Sequence, residues 1–298
     1  MFESTVKIRD FETDMQGVVN NAYYHNLLEQ TRTEFLESVG IDVKSWSQTL
    51  GVDFVVYETV IQYRSPIQAG EEFRSCLNLH REGPRFVYAQ EFRRRATDEL
   101  CIKARVDVVV GIDGRLTRGD YLADYLEGHT EHNIPDTGGV VRTASGSDRA
   151  LMEEPLFDYE MKVRDYECNR FGAATNTFVQ HYLEITRLEF MESMGETFRK
   201  WHDAGIDMMV SRVDLKFIRP MMSSEKFQSL MNVRQDGPRL IFTQEIRHKT
   251  DQRVCVRATV DVVALVGGQL SMGEIFDEFM RVQVPAWMEK VRENDERR

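Results

Sequence analysis

Cysteine, proline and long apolar runs are all scarce in this chain, and each scarcity removes a class of protein. Four cysteines (Cys76, Cys101, Cys168, Cys255) stand in no CxxC spacing, which predicts reduced, buried thiols in a cytosolic protein. No apolar run approaches the roughly 20 residues that span a bilayer. The opening MFESTVKIRD has no apolar stretch of the signal-peptide kind. No GxSxG elbow, P-loop or GxGxxG occurs. Basic residues are outnumbered, 38 Lys and Arg against 49 Asp and Glu, for a net charge of −11. That balance argues against a nucleic-acid partner, although a local basic patch can still hold a small anion. With 42% hydrophobic and 29% charged residues and only 7 prolines, the composition is that of a soluble globular protein. Its 298 residues suffice for two domains, each with its own core.

What is present is a duplication. VKIRDFETDMQGVVNNAYYHNLLEQTRTEFLESVG, from Val6 to Gly40, aligns without a gap on MKVRDYECNRFGAATNTFVQHYLEITRLEFMESMG, from Met161 to Gly195. The match resumes downstream with an offset one residue smaller. Gly83-Pro84-Arg85 meets Gly237-Pro238-Arg239, Gln90-Glu91 meets Gln244-Glu245, and Val106-Asp107-Val108-Val109 meets Val260-Asp261-Val262-Val263. Positions kept in both copies point to the shared fold, and positions that differ mark where function has parted. The sharpest difference is Asp14, which becomes Asn169.

Each copy opens with a short strand-like stretch, Thr5–Phe11 or Asp158–Tyr166, and a turn at Gly17 or Gly172. A long helical pattern follows, about Val19–Val39 and Ala174–Met194, stopped by Gly40 and Gly195. Val52–Tyr63, Glu72–His80, Arg85–Arg95 and Cys101–Ile112 are rich in β-branched and aromatic residues and predict four strands. One strand, one long helix and four mostly antiparallel strands predict an α+β unit, a sheet wrapped around a single buried helix. The expected domains are 1–127, a polar linker over 128–155, and 156–298 with a C-terminal helix and a charged, solvated tail.

The segment Asp14-Met15-Gln16-Gly17-Val18-Val19-Asn20-Asn21-Ala22-Tyr23-Tyr24 resembles the active-site turn of hotdog-fold thioesterases, most of all the 4-hydroxybenzoyl-CoA thioesterase and YbgC-like branch. The order of elements extends the resemblance over both copies. It implies two tandem hotdog domains that form an intramolecular pseudo-dimer, and hydrolysis of an acyl thioester. It also implies that the backbone N–H of Asn21 receives the oxyanion, and that Gly17 lets the backbone approach closely. Relatives often carry His where this chain has Asn21.

The chemistry can also be argued from residue types. A carboxylate just ahead of a helix lies beside unpaired N–H groups and the positive end of the dipole. A thioester carbonyl docked there is polarised as its oxygen becomes an oxyanion, and losing one such donor typically slows a reaction by about 10²–10³-fold. Asp14 then serves as general base on water or as nucleophile. The structural alternative is a helix cap or Asx turn, which Asn169 would serve equally well. Asn169 cannot be a charged base, so the second copy is expected to hold no working site. Glu12 and Glu167 occur in both copies, which predicts a shared structural role.

Further candidates surround this turn. Asn20 and Tyr24 are placed as substrate-binding residues, with Tyr24 equally readable as core. Arg93, Arg94 and Arg95 form a basic cluster that is either a charged strand end or a dock for coenzyme A phosphates or an acidic carrier protein. Glu29 and Arg32, repeated as Glu184 and Arg187, have the spacing of an ion pair within the helix. His25 and His181 lack metal-ligand spacing, and no metal site or cofactor is expected beyond coenzyme A as part of a substrate. The expected substrate is an acyl-CoA ahead of an acyl-ACP, and further association of pseudo-dimers into a homo-oligomer is compatible with the family. Two other classes remain open: a non-catalytic acyl-CoA-binding protein, and a hydratase acting on enoyl or 3-hydroxyacyl thioesters.

Overall fold

The computed structural model describes residues 1–127 and 152–296. The expected linker over 128–155 therefore lies almost wholly outside the described residues. The chain divides into two compact units, one around each copy of the repeat.

The first unit runs through β1 (Phe2–Lys7), α1 (Tyr24–Ser38), α2 (Val43–Leu50), β2 (Val52–Tyr63), β3 (Glu72–Glu82), β4 (Arg85–Arg94), β5 (Leu100–Ile112), the two-residue β6 (Arg115–Leu116) and α3 (Asp120–Tyr125). Its long strands lie in the order β1-β3-β4-β5-β2, all antiparallel. Period-two alternation places Phe86, Tyr88, Gln90 and Phe92 of β4 on the face that meets α1. The three aromatic residues are buried to 1% exposure or less. Hiding one such ring from water contributes about 1.5–3 kcal/mol, and Leu27, Leu28, Phe35 and Leu36 of α1 complete the core. β3 and β4 are joined by a two-residue turn that needs a positive φ at its first central position only. Gly83 supplies it at +60°, where Pro84, fixed near −65°, could not. Gly237 repeats the turn at +58°.

The second unit repeats the plan with β7 (Phe157–Lys162), α4 (Asn176–Ser193), α5 (Phe198–Asp203), β8 (Ile206–Phe217), β9 (Lys226–Asp236), β10 (Arg239–His248), β11 (Val254–Val266) and β12 (Gln269–Leu270). β7, β9, β10 and β11 follow one another antiparallel, and Ser211 of β8 donates to the Asp261 carbonyl of β11 at 3.2 Å. The change of offset falls after Trp46 and Trp201, where α2 has 8 residues and α5 has 6. Beyond β12 come α6 (Glu274–Glu278), a π-helical turn (Phe279–Gln283) and α7 (Val284–Glu296). The tail is helical as expected. It is also anchored, since the Trp287 ring meets Phe157 and Phe190 at centroid distances of 6.3 and 5.3 Å.

Two expectations need correction. The first strand of each copy ends at Lys7 or Lys162, and Asp10–Glu12 and Asp165–Glu167 form tight 3-10 turns instead. The cause is Glu12, whose carboxylate turns back to accept the Arg9 N–H at 2.7 Å, as Glu167 does from Arg164 at 2.5 Å. The long helix starts at Tyr24 rather than Val19, and at Asn176 rather than Ala174.

Candidate active site

Asp14 sits in a tight loop clamped at its base. Thr13 bridges Val19, the Asp14 N–H donates to the Val18 carbonyl at 2.9 Å, and the Asn20 N–H donates to the Glu12 carbonyl at 3.1 Å. Within the loop the Gly17 N–H donates to the Asp14 carbonyl at 2.9 Å, and Asp14 Oδ1 accepts the Gln16 N–H at 2.9 Å. This is an Asx turn, closed by Gly17 at φ +74°. Asp14 does not cap the helix, which begins ten residues later.

The second copy builds the same loop without the charge. The Asn169 N–H donates to Ala173 at 2.8 Å, the Gly172 N–H to Asn169 at 3.0 Å, and Asn169 Oδ1 accepts the Phe171 N–H at 2.9 Å. Gly172 has φ +76°. Asp and Asn thus close the same backbone turn through Oδ1, and Asn169 Oδ1 also accepts the Ala173 N–H at 3.2 Å. The surroundings differ too. A carbon built on Gly17 meets no atom within 4 Å, whereas one on Gly172 meets the Met222 methyl at 3.7 Å. Glu12 and Glu167 hold equivalent turns, in line with a shared structural role.

Between the loop and α1, Asn20–Tyr23 form one tightened turn. The Tyr23 N–H donates to the Asn20 carbonyl at 3.0 Å, and the Ala22 N–H donates to Asn20 Oδ1 at 2.9 Å. This side-chain capture delays the helix. In the second copy Thr175 occupies the place of Asn20, accepts the Phe178 N–H at 3.4 Å, and the helix starts at once. The Asn21 carbonyl accepts the Tyr63 hydroxyl at 3.1 Å.

Tyr24 lies in the core at 3% exposure, edge-on to Tyr63 at 5.3 Å and stacked on Phe92 at 6.3 Å. Burial, reinforced by Tyr63, Cys101 and the charge of Asp14, holds its hydroxyl well above the usual ionisation range. It is a neutral, packed side chain close enough to feel Asp14.

Each arginine of the cluster has an acidic partner. Arg93 pairs with Glu91 at 2.9 Å, Arg95 with Glu72 at 3.0 Å, and Arg94 with Glu99 at 3.1 Å and with Glu71. Each guanidinium is paired, Arg94 and Arg95 with acids of the preceding strand region. Arg94 also donates to the Pro66 carbonyl at 3.0 Å. Glu71 accepts the Gln68 N–H at 2.7 Å, Gln68 bridges Val18, and the Val19 N–H donates to Ile67 at 2.8 Å. Arg94 thus fixes the loop against which the Asp14 turn leans. The spacing of Glu29 and Arg32 also misleads in part. The buried Arg32 donates to Gln90 instead, with Glu29 supporting its charge from the helix surface.

Among the described residues no group of three or more His, Cys, Asp or Glu could hold a metal. No helix among them is long and apolar enough to cross a membrane.

Against known proteins, the family model described as the thioesterase-like superfamily matches residues 6–118. A putative esterase of Aquifex aeolicus is 32% identical over 110 residues, which are 37% of this chain and 84% of that protein. The chain belongs to this superfamily, and the fold likeness over most of its length makes its two units tandem hotdog domains. The chloroplastic acyl-acyl carrier protein thioesterase ATL3 of Arabidopsis thaliana is 29% identical over 113 residues, 38% of this chain; the match spans about three fifths, 59%, of that relative's length. Among solved structures, a putative oleoyl thioesterase from Lactobacillus plantarum shares the fold with a TM-score of 0.69 at 12% identity, over 89% of this chain and 96% of that one.

Proposed function

We propose that this chain hydrolyses acyl thioesters at the Asp14 loop of its first copy. The observation that carries the proposal is the pair of equivalent turns. Asn169 closes the same turn with an uncharged amide, so the turn itself can be built without a carboxylate, while thioester hydrolysis can use one. In the general-base route, Asp14 takes a proton from water as the water oxygen bonds to the carbonyl carbon. The carbonyl oxygen becomes an oxyanion facing the Asn21 N–H. The C–S bond then breaks, the thiolate takes up the proton, and a carboxylic acid and a free thiol leave. In the nucleophilic route, an Asp14 oxygen bonds to the carbonyl carbon, the thiolate leaves, and water splits the resulting anhydride. Gly17, with open space above it, gives the thioester room to lie against the backbone.

An acyl-CoA is the first substrate to try. The matched arginines and the net charge of −11 bear equally on coenzyme A phosphates and on an acidic carrier protein, and acyl-CoAs are the simpler probe. A second reading, an acyl-ACP, draws on the name of the Arabidopsis relative.

The test is free-thiol release from aliphatic and aromatic acyl-CoAs and from acyl-ACPs, with the parent protein, Asp14→Asn and Asn169→Asp. Release should fall by about 10³-fold or more in Asp14→Asn, by analogy with the loss of other acid–base and nucleophilic groups, and be unchanged in Asn169→Asp. Turnover that survives in Asp14→Asn refutes the assignment. Tight acyl-CoA binding without release would favour a binding protein, and conversion of an enoyl-CoA without free thiol would favour a hydratase.

A further inference from the structure

Position 63 separates the two copies as position 14 does. β2 ends on Tyr63, and β8 ends on Phe217 at the equivalent place. Tyr63 is set by its strand, opposite Ile102 of β5, and by its edge-on contact with Tyr24. Its hydroxyl donates to the Asn21 carbonyl at 3.1 Å.

That bond completes a clamp on both peptide planes flanking the Asn21 Cα. The plane before it contains the Asn20 carbonyl and the Asn21 N–H, held rigidly opposed by the planar peptide. The Tyr23 N–H fixes that carbonyl at 3.0 Å and so aims the Asn21 N–H. The plane after it contains the Asn21 carbonyl and the Ala22 N–H. Tyr63 holds one end of it, and Asn20 Oδ1 holds the other at 2.9 Å. With both planes tied, rotation about the Asn21 backbone is arrested. In the second copy, Phe217 has no hydroxyl to offer. There Thr175 caps the helix and accepts the Val179 N–H at 2.9 Å in a regular first turn.

We propose that Tyr63 is a positioning residue of the first copy's site, holding the Asn21 peptide so that its N–H is preset for the oxyanion. The proposal rests on the reading of Asp14 and Asn21 given above. A donor already aimed needs no reorganisation as charge develops. One neutral hydrogen bond makes a modest contribution, so its loss should be felt as a partial fall in rate.

Tyr63→Phe installs the second copy's own residue and keeps the ring against Tyr24. The expected result is a five- to tenfold fall in kcat, about the worth of one hydrogen bond, with KM within about twofold of the parent. Amide exchange across Asn20–Tyr24 should quicken, while exchange in the equivalent stretch of the second copy stays the same. An unchanged kcat, or a loss carried by KM alone, overturns the proposal. Asp14→Asn is assayed beside it. Turnover surviving in Asp14→Asn brings down the site assignment and this proposal with it. Turnover lost there but unmoved in Tyr63→Phe overturns the role of Tyr63 alone.

Discussion

Arg32 and Gln90 hold each other inside the first unit: the guanidinium donates to Gln90 Oε1 at 3.0 Å, and the Gln90 amide donates onward to the Leu28 carbonyl at 3.0 Å. The second unit repeats the link, with Arg187 on Gln244 at 2.6 Å and Gln244 on Leu183 at 2.9 Å. A buried cation thereby ties the central helix to the middle of the sheet. Burial lowers the Arg32 pKa, with Glu29 opposing the shift. Gln90→Leu removes the acceptor and leaves the charge behind, so a loss of about 2–3 kcal/mol is expected. Urea unfolding should register it as a lower midpoint with an unchanged slope.

Asp14→Asn should separate folding from chemistry. Asn169 already makes this turn in the same chain, so the variant's melting temperature should stay close to the parent's while thiol release collapses. A large drop in melting temperature would show that the carboxylate has a folding role the second copy conceals.

The three neighbouring arginines should behave unequally. Arg94 reaches Pro66 and the acid that holds Gln68, so Arg94→Met should cost about 1–3 kcal/mol of stability and lower kcat with it. Arg95 is mostly exposed and pairs only with Glu72 among the described contacts. Arg95→Met should change stability by less than about 0.5 kcal/mol. Parallel thermal melts and thiol-release kinetics decide between this order and a cluster that serves phosphate binding, in which both variants would raise KM alone.

Glu82 gives a pH dependence of definite sign. Its hydrogen bond from Arg105, and a second from His80, lower its pKa from 4.5 to about 2. A depressed carboxylate stabilises the fold above its unfolded value and loses that contribution as pH falls through the folded value. Glu82→Gln should therefore be less stable than the parent at pH 7, with the difference shrinking steadily as pH falls from about 4.5 towards 2. The pair is 44% exposed on the Glu82 side, so screening holds the difference below about 1 kcal/mol. A difference that instead grows below pH 4 would contradict the pairing.

The strands β2 through β5 are legible in the chain to within a residue or two, because they are rich in β-branched and aromatic residues and largely buried. The sequence carries the first strand too far because Val6 and Ile8 alternate with polar residues, and the Glu12 side chain ends the strand by capturing the Arg9 N–H. The helix start was misjudged for the same kind of reason, an Asn20 side chain competing for a backbone donor. Asp14 and Gly17 could be singled out because the chain supplies its own comparison at 169 and 172. The partners of Arg94 could not, since Glu71 and Glu99 reach it only through the folded sheet. Gln90 left a trace, its recurrence as Gln244. So did Tyr63, whose replacement by Phe217 is the only sequence sign that a hydroxyl is used there.

The paired Asx turns have a consequence for how such a protein can change over time. Because Asp and Asn both close the loop, a copy that loses the carboxylate can keep its turn. A single substitution can switch chemistry off in one repeat while selection for a folded chain notices nothing. Under the proposed assignment the second half is then free to drift at its lip, as Met222 near Gly172 illustrates, without endangering the first.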